Sequence, residues 1–234
     1  MKHIFLALTN PIPGREDDFN RWYDNHHLQE VLRYGNGFSS GRRYKLDLSR
    51  SRPSGDAWAY LASYVLESKD LEHFHRHPWI ENRPALTPFT GLLADDHVGW
   101  VYTPAAPAVG SEATLPPTCS PNLLFLLNAS QSGKDGEQRD FIDGRIKGMA
   151  KMPGLLLGQR YELARHQRER QVSSPWQHLE LYALDPSFDA ATLSFLSPAS
   201  LPVTETAHSK DPKVKAPAAW FFTAVGDALL QSDL

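Results

Sequence analysis

The sequence has few of the features that indicate a secreted, membrane-embedded or nucleic-acid-binding protein. Its single cysteine, Cys119, cannot form a disulfide within the chain, so nothing requires an oxidising compartment. No apolar run approaches the roughly 20 residues that span a bilayer. The 27 acidic and 24 basic residues nearly balance, and the formal charge of -3 creates no broad field for an anionic polymer or surface. We therefore expect a cytoplasmic protein with no nucleic-acid partner and no membrane partner.

The common cofactor motifs are also missing. The chain has no P-loop, no G-x-G-x-x-G after a strand, no G-x-S-x-G and no HExxH, so nucleotide, flavin and zinc-hydrolase functions have no support. No cofactor and no metal are predicted on this ground. What is present is ordinary for a globular protein: 41% hydrophobic and 11% aromatic residues in 234 positions, enough for one large domain or two small ones.

The first half of the chain follows the order strand, helix, two strands, helix, strand. Apolar runs and alternation predict the strands, and apolar residues three and four apart predict the helices. This order is that of the ferredoxin-like βαββαβ unit. The predicted elements are strands at 3–9, 38–48, 58–66 and 97–102 and helices at 19–32 and 69–79.

A segment rich in proline, residues 104–121, is predicted to be a linker, and the pattern then begins again. The second half is predicted to contain strands at 122–128, 154–163, 178–184 and 218–225 and helices at 137–152 and 190–195. The boundaries that follow are a first repeat at 1–103, the linker at 104–121 and a second repeat at 122–234.

The second half is a copy of the first. The pattern G-x-x-x-G-x-R-Y-x-L begins at both Gly37 and Gly154, and two further matches follow in the same order at a nearly constant offset of about 120 residues. These further matches are Leu61 and Tyr64 with Leu179 and Tyr182, and Trp100 and Thr103 with Trp220 and Thr223. A βαββαβ unit leaves one sheet face bare, and two units can cover each other. The sequence therefore predicts an α+β fold in which two ferredoxin-like repeats pack sheet to sheet as one barrel of about eight strands, with the helices outside.

Residues 22–32, WYDNHHLQEVL, resemble the W-Y-D-x-x-H-L-P-x-V-L helix motif of the dimeric α/β barrel superfamily, especially its EthD-like members. His27 aligns with the motif histidine, and Gln29 replaces the usual proline, which implies a straighter helix there. The resemblance implies a ferredoxin-like barrel, here as a fused tandem repeat that is either a monomer with a pseudo-dimeric barrel or a homodimer. The superfamily includes cofactorless monooxygenases, isomerases, dehydrating enzymes, stress-response proteins and haem proteins, so membership does not name a reaction.

The same helix carries the candidate catalytic groups. Histidine moves protons near neutral pH, and either of two adjacent histidines on this helix is able to face a cleft between helix and sheet. The alternative is a structural role, in which one histidine faces solvent and the other caps the helix or packs against the sheet. The predicted catalytic residues are His27, His26 and Tyr23, and the predicted substrate-binding residues are Trp22, Phe19, Glu30, His75 and Trp79. Glu30 or Asp24 is expected to fix the imidazole tautomer.

A second group of histidines, His73, His75 and His77, precedes Trp79. His73 and His77 have metal-ligand spacing on a helix, yet no carboxylate motif completes a site, and a solvated helix end is the favoured interpretation. Haem is a further alternative from the resemblance. It is ranked low because the helix of the second repeat has no histidine and has lost the polar and aromatic residues of the first.

The function predicted on this basis is a cofactor-independent lyase or isomerase. His27 would assist proton transfer, as dehydration or isomerisation, on a small apolar or aromatic metabolite. The alternatives are a cofactorless monooxygenase of the same fold and a non-catalytic ligand-binding or stress-response barrel.

Overall fold

The computed structural model describes residues 1–51, 58–76, 87–88, 90–128, 134–167, 174, 176–188 and 218–234. Within these residues no helix is both long enough and apolar enough to cross a membrane. The first repeat contains β1 (Lys2–Thr9), α1 (Glu16–Trp22), a π-helical turn (Tyr23–His27), α2 (Leu28–Tyr34), β2 (Phe38–Leu46), β3 (Tyr60–Glu67), α3 (Leu71–Arg76) and β4 (Val98–Pro104).

The second repeat contains β5 (Asn122–Asn128), α4 (Asp135–Met149), β6 (Leu155–Leu163), β7 (His178–Leu184) and β8 (Ala218–Leu230). The last strand is longer than predicted because Gly226, with a φ of 78°, lets the chain bend without ending its pairing to β2. The helix predicted at 190–195 lies outside the described residues.

The strands form one closed barrel in the order β1-β3-β2-β8-β5-β7-β6-β4. Each repeat contributes a four-stranded sheet of the same order, β4-β1-β3-β2 and β8-β5-β7-β6. The sheets join where β2 pairs with β8 and where β4 pairs with β6, so no strand edge is left open. The predicted α+β barrel of two ferredoxin-like repeats is confirmed.

The barrel interior is a packed core. Alternate residues of each strand point inward, as Ile4, Leu6 and Leu8 do on β1. At its centre four tryptophans meet edge to face, with neighbouring ring centroids 5.5 to 6.0 Å apart. Each repeat supplies two of them, and the four are Trp58, Trp100, Trp176 and Trp220. The duplicated sequence therefore builds a core with approximate twofold symmetry.

The repeated motif has a packing explanation. Its second glycine, Gly41 in β2, lies opposite Tyr64 of β3, and Gly158 in β6 lies opposite Tyr182 of β7. A Cβ atom at Gly41 would come within 2.8 Å of the tyrosine ring, and one at Gly158 within 3.2 Å. Glycine is needed at both positions because an aromatic ring crosses the strand there.

The linker is packed along the barrel. Val109 exchanges two backbone hydrogen bonds with Gly158, at 2.9 and 2.8 Å, so the segment runs beside β6. Farther on, Thr118 is buried, and its hydroxyl lies 2.8 Å from that of Ser40 on β2. The segment thus crosses from one join of the barrel toward the other, and it contributes side chains to the structure.

Candidate active site

The predicted site helix lies on the outer face of the first sheet and is irregular at its centre. Between α1 and α2 the turn Tyr23–His27 is π-helical, and the Leu28 amide donates to the Tyr23 carbonyl five residues back. The Gln29 side chain donates to the Asp24 carbonyl at 3.2 Å and so supports this wider turn. The irregular turn ends at His27, and Gln29, which replaces the motif proline, lies in the first turn of α2. Single π-helical turns of this kind are frequent at functional sites.

The turn encloses His27 between two aromatic rings. The imidazole stacks on Trp22 with a centroid distance of 4.4 Å and an interplanar angle of 19°, and it meets the Tyr23 ring edge to face at 4.9 Å. His27 Nδ1 is buried without a hydrogen-bond partner among the described residues. His26, one position earlier, is exposed. Of the two histidines, His27 is the one that packs against aromatic side chains.

Burial determines the charge of His27. Desolvation lowers its pKa to about 4, since a charged imidazolium loses hydration among the rings. The carboxylate of Glu30 raises this pKa and the guanidinium of Arg43 lowers it, and both effects are smaller than that of burial. The imidazole is therefore neutral at physiological pH and carries an unengaged lone pair.

Glu30 makes no hydrogen bond to the imidazole and instead holds Thr87, which contacts Trp22. Its carboxylate accepts from the Thr87 hydroxyl at 2.6 Å and from the Thr87 amide at 3.2 Å. The carbonyl of Thr87 in turn accepts from the Trp22 indole at 3.0 Å. A segment 57 residues away along the chain thus holds the ring that stacks on His27.

Asp24 does not contact His27 either, because it pairs with Arg43. The Arg43 side chain is almost fully buried, forms an ion pair with Asp24 and donates to Asn20 Oδ1 at 2.7 Å. Its guanidinium lies over the Tyr23 ring, 4.5 Å from the centroid. The Arg43 guanidinium therefore links β2 to the site helix and fills the space between them. Neither Asp24 nor Glu30 makes a hydrogen bond to the imidazole, so neither carboxylate fixes the tautomer of His27.

The aromatic cluster around His27 continues into the core between the helix and the first sheet. Phe19 is fully buried and packs against Tyr23, with centroids 5.4 Å apart, and against Tyr60 at 5.2 Å. Tyr23 is also enclosed, and burial raises its pKa and that of the neighbouring Tyr64. Phe19 and Tyr23 are therefore the innermost residues of this aromatic cluster, and His27 is its most exposed member.

The remaining predicted residues are not brought into this arrangement by the described structure. The side chain of His75 and the whole of Trp79 lie outside the described residues, as does His77. His73 is exposed on α3. Across the part of the chain that the structure describes, no three His, Cys, Asp or Glu side chains come together as a metal site.

The second repeat has a buried polar cluster that the sequence reasoning missed. Glu180 of β7 is fully buried and accepts from Arg145 Nε at 2.7 Å, Asn128 Nδ2 at 2.8 Å and the Tyr182 hydroxyl at 2.7 Å. Arg145 Nη2 also bonds the same carboxylate. The signal was a single carboxylate inside the otherwise apolar strand HLELYAL. In the second repeat the charge lies on the sheet, whereas the first repeat has Ala62 at the matching position.

The architecture is an α+β barrel of two ferredoxin-like repeats in one chain, and a histidine packs between aromatic rings on its first outer helix. The structure of an anthrone oxidase-like protein superposes with a TM-score of 0.58 at 12% identity, covering 98% of this chain and 93% of the other. A candidate monooxygenase from Fusobacterium nucleatum superposes with a TM-score of 0.54 at 7% identity, covering 96% and 93%. No protein-family model and no curated sequence matches the chain. Likeness at this level of identity establishes the fold.

Proposed function

We propose that the chain is an enzyme that removes a proton from a small, largely apolar or aromatic molecule, with His27 as the base. The observation that carries the proposal is the enclosed imidazole. It is kept neutral by a pKa of about 4, and no described residue engages its Nδ1. A general base must be unprotonated at the working pH, and His27 meets this condition; because its pKa is low it is a weak base, so the substrate must carry an acidic C–H group. His27 keeps part of its surface accessible, and a flat apolar substrate would approach the ring from the side that does not stack on Trp22.

The anion formed in this step has two possible fates. In the EthD-like interpretation it expels water or is protonated again at another atom, which makes the enzyme a lyase or an isomerase. In the monooxygenase interpretation an electron-rich anion reacts with O2, which inserts one oxygen atom into the substrate while the other leaves as water. The names of the two similar structures favour the second fate as much as the motif favours the first. Both begin with the same proton transfer.

Anthrone is a suitable probe because its central methylene loses a proton readily and the resulting anion is oxidised by O2. Without O2 in D2O, we expect the protein to accelerate deuterium incorporation at this methylene above the buffer rate. With O2, oxidation to the quinone would identify the monooxygenase fate, with one water formed for each O2 consumed. Exchange without oxidation would favour the lyase or isomerase fate.

The matched variants are His27→Gln and His26→Gln, because the two residues are adjacent and only the first is enclosed. We expect His27→Gln to slow exchange by about 100-fold, the lower end of general-base contributions, and His26→Gln to leave it unchanged. Exchange that is unaltered in His27→Gln would remove His27 from the mechanism. A wild-type protein that binds anthrone without accelerating exchange or oxidation would be a binding barrel.

A further inference from the structure

A cavity lies away from His27, where the linker passes over the barrel. Its volume is about 240 Å³, and all of its lining residues belong to the described part of the chain. Ile4, Leu157 and Tyr161 line it from the barrel interior, and residues 113–117 of the linker line it from outside. None of the residues around His27 takes part. The volume is smaller than the roughly 300 to 1,000 Å³ of drug-sized ligand sites, so the cavity suits a molecule of about ten heavy atoms.

One residue that lines the cavity has a hydroxyl group that no described residue engages. Tyr161 is only 3% exposed, and its hydroxyl makes no hydrogen bond to any described residue. The matching tyrosine of the first repeat, Tyr44, is equally buried but donates to the Ser120 carbonyl at 3.0 Å. The two positions differ because the linker covers Tyr44 with backbone carbonyls and leaves open space beside Tyr161.

The charges around the cavity favour an acceptor. No aspartate or glutamate lines it. Its two charged groups are the Lys2 side chain, which lies 3.7 Å from Glu67 Oε1, and the Met1 terminal ammonium, which donates to the Ser68 carbonyl at 3.2 Å. His3 also lines the cavity, but both of its ring nitrogens are engaged, one with the Thr103 hydroxyl at 2.9 Å and the other with the Ser68 carbonyl at 3.2 Å. Burial lowers the pKa of His3, which keeps it neutral. The donors at the cavity therefore include the Tyr161 hydroxyl and the ammonium groups of Lys2 and Met1, and the net charge of its lining is positive.

We propose that this cavity binds a small carboxylic acid with an apolar body. The carboxylate accepts a hydrogen bond from Tyr161 and faces Lys2, while the body packs against Ile4, Val65 and Leu157. A charged acceptor is favoured over a neutral one because hydrogen bonds to ionised groups are about twice as strong. This site is independent of the proton-transfer chemistry proposed for His27. Among the described residues it exists in one repeat only, because the single linker covers Tyr44 of the first repeat and leaves open space beside Tyr161 of the second.

Ligand-observed NMR titration with benzoate tests the proposal, with benzamide as the neutral probe of the same shape. We expect saturable benzoate binding to the wild-type protein and weaker binding of benzamide. Tyr161→Phe should weaken benzoate binding about tenfold, which corresponds to the ~1.4 kcal/mol of one hydrogen bond to a charged group. Tyr44→Phe, the matched control, should leave binding unchanged. Lys2→Gln should reduce the preference for benzoate over benzamide.

Thr114→Trp provides a test that does not alter the barrel, because Thr114 is an exposed linker residue at the cavity. The larger side chain should occupy the opening and abolish binding while thermal unfolding stays as in the wild type. Three results would overturn the proposal: no saturation of the wild type by millimolar benzoate, equal affinity in Tyr161→Phe, or equal affinity in Thr114→Trp. His27→Gln should bind benzoate normally, so failure here is separable from failure of the proposed catalysis.

Discussion

The enclosed histidine predicts a specific dependence of stability on pH. The pKa of His27 is about 4 in the folded protein, against 6.5 for an unperturbed histidine. Above pH 6.5 the imidazole is neutral in both the folded and the unfolded state, so its protonation does not affect the free energy of unfolding. As the pH falls below 6.5 the unfolded state takes up the proton first, so the free energy of unfolding decreases. The decrease is complete near pH 4, where the folded state also becomes protonated.

The size of the effect follows from the difference between the two pKa values. A shift of one unit corresponds to 1.36 kcal/mol, so the full loss between pH 7 and pH 4 is about 3 kcal/mol, and the loss by pH 5 is about 2 kcal/mol. These figures are upper limits, because His27 as a residue retains some accessible surface. Replacing His27 with Gln removes the titration. Urea unfolding of both proteins at pH 7 and pH 5 should therefore show the variant gaining up to about 2 kcal/mol on the wild type at the lower pH.

The comparison with the variant isolates His27 from His3, whose pKa burial also lowers and whose contribution has the same sign. His26→Gln is the control, since His26 is adjacent in the chain and exposed. If the difference in unfolding free energy between wild type and His27→Gln is the same at pH 7 and pH 5, the imidazole is not held in a desolvated site. The argument for a neutral base would then fail.

The duplicated strands offer a matched pair of substitutions: Gly41→Ala should destabilise the protein more than Gly158→Ala, because the added Cβ comes closer to Tyr64 than its counterpart does to the matching ring. Equal changes in urea midpoint would show that the rings move freely. Truncating one partner of the buried pair Glu180 and Arg145 should cost about 3–5 kcal/mol, since it leaves the other charge buried and unpaired. Glu180→Ala should therefore lower the urea midpoint strongly, and simultaneous replacement of both residues with apolar ones should recover part of the loss; a double variant no more stable than Glu180→Ala would contradict this reasoning.

The candidate site was only partly predictable from the sequence. The helical spacing and the motif placed Trp22, Tyr23 and His27 on one element beside a sheet, and the structure brings these three rings together. Spacing did not decide which of two adjacent histidines is enclosed. Adjacent positions point about 100° apart on a regular helix, and the π-helical turn changes that rotation locally. The roles expected of Asp24 and Glu30 were also beyond the sequence, because their partners Arg43 and Thr87 are distant along the chain.

The sequence alone determined the barrel. Local periodicity and internal duplication are both visible in the sequence, and they reveal two copies of one βαββαβ pattern. The helices of each copy cover only one face of its sheet. The two remaining apolar faces are buried most simply by packing against each other. The tertiary structure decided where the copies differ. The single linker covers Tyr44 and leaves Tyr161 beside a cavity, the carboxylate of the second repeat lies on its sheet at Glu180, and the first repeat places the His27 imidazole between two aromatic rings. These differences depend on strand register and on the path of a segment between distant residues, and neither leaves a local pattern in the chain.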